Sequence, residues 1–159
     1  MNDSGQGTRD LSEDDETLRR DLIESYTAAR DDIDEAMSGL PPETPCGGWT
    51  VIEIAAHIAA WEKYSSEQMA SLAVGLPESA VNVDALNEAA AIAARSAHPG
   101  KTLALYATER KSFIDRLEGL PSAAFRLDAV RGHVAMEIGH CAEHAAELRT
   151  LKAVSGGGQ

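Results

Sequence analysis

The sequence predicts an all-α fold: a four-helix bundle with one extra short helix in the connection between its second and third long helices. Three observations predict it. Apolar residues recur at spacings of three and four along four long segments, the period of a helix with one buried face. No segment keeps the alternating pattern of a half-buried strand, and Pro/Gly clusters divide the segments from one another. Ala and Leu supply most of the packing beside only two Trp, three Tyr and two Phe, which favours closely packed helices over a sheet. At 159 residues the chain reads as one domain over 11–153, between a disordered 1–10 and a flexible tail at 154–159.

Ser12 reads as an N-cap followed by acids in the first turn, where the helix dipole favours them. Leu18, Leu22, Tyr26, Ala29, Ile33, Ala36 and Leu40 mark the buried face of a first helix that ends near Gly39. The stretch LPPETPCGG (40–48) can continue neither helix nor strand. Thr50 and Glu53 then form a capping box, with Trp49 placed to staple onto Ile54. Ile54, Ile58, Trp61, Ser65, Met69 and Leu72 share one face of this second helix, and His57 lies at the edge of that face. After Gly75 and Pro77, Asp84 caps a short Ala-rich helix to about Ala97, and His98-Pro99-Gly100 breaks it. The third long helix covers 101–117, with Leu103, Tyr106, Phe113, Leu117 and Leu120 on its buried side. A loop at 122–128 leads to the last helix, from about Ala129 to Ala153. The four long helices are expected to pack antiparallel. The connection that holds residues 84–97 is long for an up-down bundle, and long connections are often functional.

Charge narrows the function. There are 14 basic and 26 acidic residues, a net charge of −12, so a nucleic acid or an anionic membrane surface is repelled. No apolar run approaches the ~20 residues of a membrane span. The acidic runs, Glu13 to Glu16 and then Asp31, Asp32, Asp34 and Glu35, read as solvated helix faces. Two cysteines are too few for a disulfide framework and nothing reads as a signal peptide, so the cytoplasm is the expected compartment. Cys141 reads as a small core residue, and Cys46, in its Gly/Pro loop, as the more exposed of the two.

The chemistry concentrates at 132–151, GHVAMEIGHCAEHAAELRTL. At one residue per ~100°, His133, Glu137, His140 and His144 fall within an arc of roughly 60° on one helical face. His140 and His144 lie about 6 Å apart along the axis, close enough to share one metal ion. His133 is about 16 Å from His144 and cannot join them. If the second and last long helices are neighbours, His57 supplies the third imidazole, and three protein ligands leave room for water or substrate. Glu137, one turn before His140, is then a hydrogen-bond partner of a ligand or a general base. His98 reads as a loop residue.

The blocks GWTVIEIAAHIAAWE (48–62), VDALNEAA (83–90) and HCAEHAAELR (140–149) resemble the DinB-like superfamily. More narrowly they resemble its actinobacterial branch related to the metal-binding N-terminal domain of mycothiol-dependent maleylpyruvate isomerase. The resemblance implies a four-helix bundle whose divalent metal, zinc or nickel, is held by His57, His140 and His144. It also implies a small-molecule substrate and chemistry of the thiol S-transferase type, with a low-molecular-weight thiol such as mycothiol as cofactor. A hydrolase or isomerase of a small metabolite or natural product is the alternative, and a non-catalytic metal-binding homodimer is the reading from another class.

Overall fold

A computed structural model of the chain describes residues 7–156, with side chains from 13 to 154. Five α-helices dominate the described residues: α1 Gly7–Met37, α2 Val51–Ala73, α3 Val83–Ser96, α4 Pro99–Gly119 and α5 Asp128–Gly156. Of the expected tails, residues 1–6 and 157–159 lie outside the described residues, whereas 7–10 and 154–156 continue the first and last helices. α1 is therefore already under way at Ser12 and does not start there.

The four long helices form the bundle, and their order corrects the antiparallel expectation. α2 packs on α4 and α5, and α1 packs on α5 and α4. Arg19 near the start of α1 reaches the carbonyls of Glu118 and Leu120 at the end of α4, and Asp34 near the end of α1 accepts from Tyr106 and Arg110. Those two helices run in opposite directions. α1 and α5 run in the same direction, since Asp15 pairs with Arg126 just before α5 while Asp32 pairs with Arg149 near its end. α2 and α4 are likewise parallel: Val51 and Ile52 share a cavity wall with Leu103 and Tyr106, and Ser66 meets Arg116. A parallel pair needs a connection that returns the length of the bundle. Residues 74–98, with α3 inside them, make that return.

The element ends follow from local chemistry. Thr50 caps α2 as expected, its N–H donating to Glu53 Oε2 at 2.7 Å while the Glu53 N–H donates to Thr50 Oγ1 at 3.4 Å. Before it, Pro45–Cys46 and Trp49–Thr50 form a two-residue antiparallel pair turned by Gly47, whose φ of 61° places it in the left-handed region. The expected break at 40–48 thus contains a small hairpin. Asn82, not Asp84, caps α3 by accepting from the Ala85 N–H. His98 is the N-cap of α4, its Nδ1 accepting from the Gly100 N–H at 3.1 Å. The expected loop after α4 holds a short 3-10 turn, Ser122–Arg126.

Two apolar cores fill the bundle. One gathers Ile33, Val51, Ile54, Ile58, Tyr106, Cys141 and Leu148, and the other Tyr26, Met69, Phe113, Leu117, Phe125, Val130 and Val134. Leu103, expected inside, is 44% exposed. It sits about 60° off the Tyr106–Phe113–Leu117 line, on the edge of the α4 face. The acidic run at 31–35 is not simply solvated either, because Asp31, Asp32 and Asp34 tie α1 to Arg110 and Arg149.

Candidate metal centre

Three imidazoles meet where α2 crosses the middle of α5. His140 and His144 stand one turn apart on α5, and the capping box that starts α2 at Val51 sets His57 on the turn that faces them. The Trp49 ring lies against His57, with ring centroids 5.0 Å apart. His57 Nε2 is 2.7 Å from His140 Nε2, which is 3.2 Å from His144 Nε2. The ligating atoms of all three residues lie within 4.8 Å of one another.

This arrangement suits a cation better than protons. Each Nε2 carries either a hydrogen or a lone pair. Three mutually facing nitrogens cannot all be paired by hydrogens, whereas one ion accepts all three lone pairs. Nitrogens bound to a tetrahedral ion at ~2.0–2.1 Å sit about 3.3 Å apart, close to the separation of His140 and His144. Burial pushes the His57 imidazole down to about 3 and His140 down to about 4, and the neighbouring imidazoles add to both shifts. Both are therefore neutral near pH 7, the form that ligates. On the outer side, His144 Nδ1 is 2.8 Å from Glu147 Oε2, which orients the ring. His57 Nδ1 is buried without a hydrogen-bond partner. The donor set fits a divalent first-row ion such as zinc or nickel.

Glu137 and His133 lie on the same face of α5 but outside this cluster. Glu137 is fully buried and accepts a 2.6 Å hydrogen bond from Ser65 Oγ. Its other oxygen, Oε2, has no hydrogen-bond partner and lies 3.8 Å from His140 Nδ1. Burial pushes its carboxyl up to about 7, against the lowering effects of Ser65, His133 and Arg30. His133 sits with Nδ1 3.3 Å from Ser65 Oγ and Nε2 3.1 Å from Glu78 Oε1 in the α2–α3 connection.

Sequence reasoning missed a second buried polar group. Arg30 is fully buried on α1, with Nε 2.8 Å from Glu62 Oε1, an NH2 donating to the Tyr106 carbonyl at 3.1 Å, and its guanidinium 3.6 Å from the Tyr106 ring centre. Tyr26 donates its hydroxyl to the same Glu62 oxygen at 2.5 Å. Burial pushes Glu62 up to about 7 although Arg30 and Tyr26 pull it down. The available signal was a polar residue in each apolar stripe: Arg30 follows Tyr26 by four, and Glu62 follows Ile58 by four.

An open groove of about 370 Å³ borders the cluster, walled by Trp61, Val83, Asn87, Met136, His140 and Glu143. α3 reaches it through the Trp61 Nε1–H, which donates to Asn87 Oδ1 at 2.9 Å. Neither cysteine lines it. Cys46 is buried, though still the more exposed of the two at 5% against 0% for Cys141; burial and Glu147 raise its thiol, while burial pushes Cys141 up to about 12. No described helix is long and apolar enough to cross a membrane.

The family described as the mycothiol maleylpyruvate isomerase N-terminal domain matches residues 19–146, a span that holds the whole histidine cluster. Neither a curated protein nor a solved structure matches the chain.

Proposed function

The chain belongs to the mycothiol maleylpyruvate isomerase N-terminal domain family, within the DinB-like superfamily, and from that premise we propose that it is a metal-dependent enzyme that transfers a small thiol of the mycothiol type to an electrophilic substrate. The observation that carries the reading is the meeting of three Nε2 atoms beside an open groove. His57, His140 and His144 hold the ion, zinc or nickel. A divalent ion with an open position supplies the positive centre that keeps a bound thiol ionised near neutral pH.

The remaining work falls to this chain's own groups. Glu147 holds the His144 ring by its Nδ1. Glu137, whose Oε2 lies 3.8 Å from His140 Nδ1 and has no hydrogen-bond partner, takes up a proton. Trp61, Val83 and Met136 give the groove its apolar surface, and α3 forms part of its wall.

Cobalt(II) is the test ion, since thiolate ligation gives it a charge-transfer absorption band. Titrating the cobalt-loaded protein with N-acetylcysteamine, an uncharged thiol, should develop that band to saturation at one equivalent. His57→Ala and His144→Ala should fail to take up the ion. Full cobalt loading without a thiolate band would end the thiol reading in favour of a hydrolase or isomerase that uses water. Absence of cobalt uptake by the parent protein would end the metal centre itself.

A further inference from the structure

The groove beside the histidine cluster has a charge of its own. Its apolar surface comes from Trp61 on α2, Val83 at the start of α3 and Met136 on α5. Val83 is 47% and Met136 38% exposed, so two large apolar side chains face solvent across one opening. Its one formally charged lining residue is Glu143, and among the described residues that line it there is no Lys or Arg. Glu147 lies one turn further along α5.

The cations nearest along the lining helices are all engaged elsewhere. Arg131, one turn before Ala135, donates to the Phe125 carbonyl at 2.7 Å and pairs with Asp128. Arg95 on α3 pairs with Glu53 at 2.6 Å and with Glu88 at 3.8 Å. Lys63 on α2 pairs with Glu67. Asn87 supplies a neutral polar group. Its Oδ1 is taken by the Trp61 Nε1–H, which leaves the amide NH2 to donate to an oxygen of whatever enters.

We infer that the groove takes a substrate whose outer end is uncharged or cationic, with an apolar or amide-bearing body against Trp61, and that it rejects one carrying a carboxylate or phosphate there. The inference rests on the reading of the cluster as a thiol-binding metal centre. An anionic outer end, on the side of the groove away from the ion, would lie a few ångströms from Glu143 with no Lys or Arg in the lining to offset it. A unit charge at that range near a protein surface is opposed roughly fivefold or more in affinity, most strongly at low salt.

Three thiols of similar size separate the cases: cysteamine, cationic; N-acetylcysteamine, neutral; and 3-mercaptopropionate, anionic. Each is titrated into cobalt-loaded parent protein and into Glu143→Lys at low ionic strength, and affinity is read from the thiolate-to-cobalt band. Comparing variant with parent cancels the differences in thiol acidity. Glu143 is exposed, so the substitution leaves the core intact, and cobalt loading checks the site. The substitution should raise the affinity of the anionic thiol relative to the neutral one by fivefold or more and lower that of the cationic thiol. A relative shift below fivefold would overturn the inference while leaving thiol binding in place. Absence of the band with all three thiols would instead overturn the thiol reading, and this inference with it.

Discussion

Glu137 is held out of water between α5 and α2, with Ser65 donating to one oxygen and nothing donating to the other. Its carboxyl rises from 4.5 to about 7 because burial penalises the charged form. The sign of the linkage follows. Between those two values the folded chain keeps a proton at Glu137 that the unfolded chain has released, so the contribution is fully present below about pH 4.5 and is lost as pH rises through about 7. Glu137→Gln copies the protonated shape and keeps an oxygen for Ser65. In the metal-free protein it should match the parent near pH 4.5 and exceed its stability by about 1–3 kcal/mol at pH 8. Urea unfolding of both proteins at the two pH values measures this, and a variant less stable at pH 8 than the parent would refute the assignment. The histidine pair was legible from sequence because i and i+4 share a helical face whatever surrounds them. The partners of Glu137 were not, since a 3.6-residue period marks the face of a residue but not the side chain on the opposing helix. Arg30 shows the same limit: its place in the stripe was readable, while Glu62 and the Tyr106 ring that neutralise it come from other helices.

At the scale of elements, α2 positions the site. It packs on α3, α4 and α5, which buries most of its circumference, and its start sets the angle at which His57 meets α5. That start is a capping box whose acid, Glu53, also binds Arg95 of α3 at 2.6 Å. One residue therefore joins the end of one helix to the wall of the groove. Thr50→Ala removes the side-chain acceptor for the Glu53 N–H and the hydroxyl that contacts Glu53 Oε2. It should lower stability by about 1–2 kcal/mol, the usual cost of a lost N-cap. Hydrogen exchange should show the loss concentrated in the first turn of α2, and uniform weakening across all helices would count against this role for the cap. This box was legible because its two residues are three apart in the chain, and so were the breaks at Gly and Pro. The relative direction of the helices was not, for it depends on the long return through α3, and that return is specified by contacts between segments far apart in sequence.

At the scale of the whole molecule, two apolar cores are joined across a belt of buried polar groups: Arg30, Glu62, Ser65, Glu137 and the histidine cluster. Buried charges and unpartnered polar atoms weaken a bundle unless something compensates. Arg30 and Glu62 compensate each other in part, but the histidine cluster is compensated less: Glu147 holds His144 Nδ1, whereas His57 Nδ1 has no hydrogen-bond partner and the three Nε2 atoms cannot all be paired by hydrogens. An ion that binds the folded chain and not the unfolded one stabilises it by mass action, about 2.7 kcal/mol at a free concentration of 100 Kd. In a chain of this size 1 kcal/mol corresponds to roughly 2–4 °C, so saturating zinc or nickel should raise Tm by about 5–10 °C over the chelated protein. His57→Ala should abolish that rise while melting cooperatively on its own, because it removes one ligand and leaves both apolar cores whole. Glu147→Gln should keep the rise but require about 10–100-fold more metal to reach it, since the carboxylate acts only by orienting His144. Melting curves across a metal titration measure all three. A parent protein whose Tm is indifferent to every divalent ion tried would show that the polar belt is held by its own hydrogen bonds and that the histidine cluster is not a metal centre.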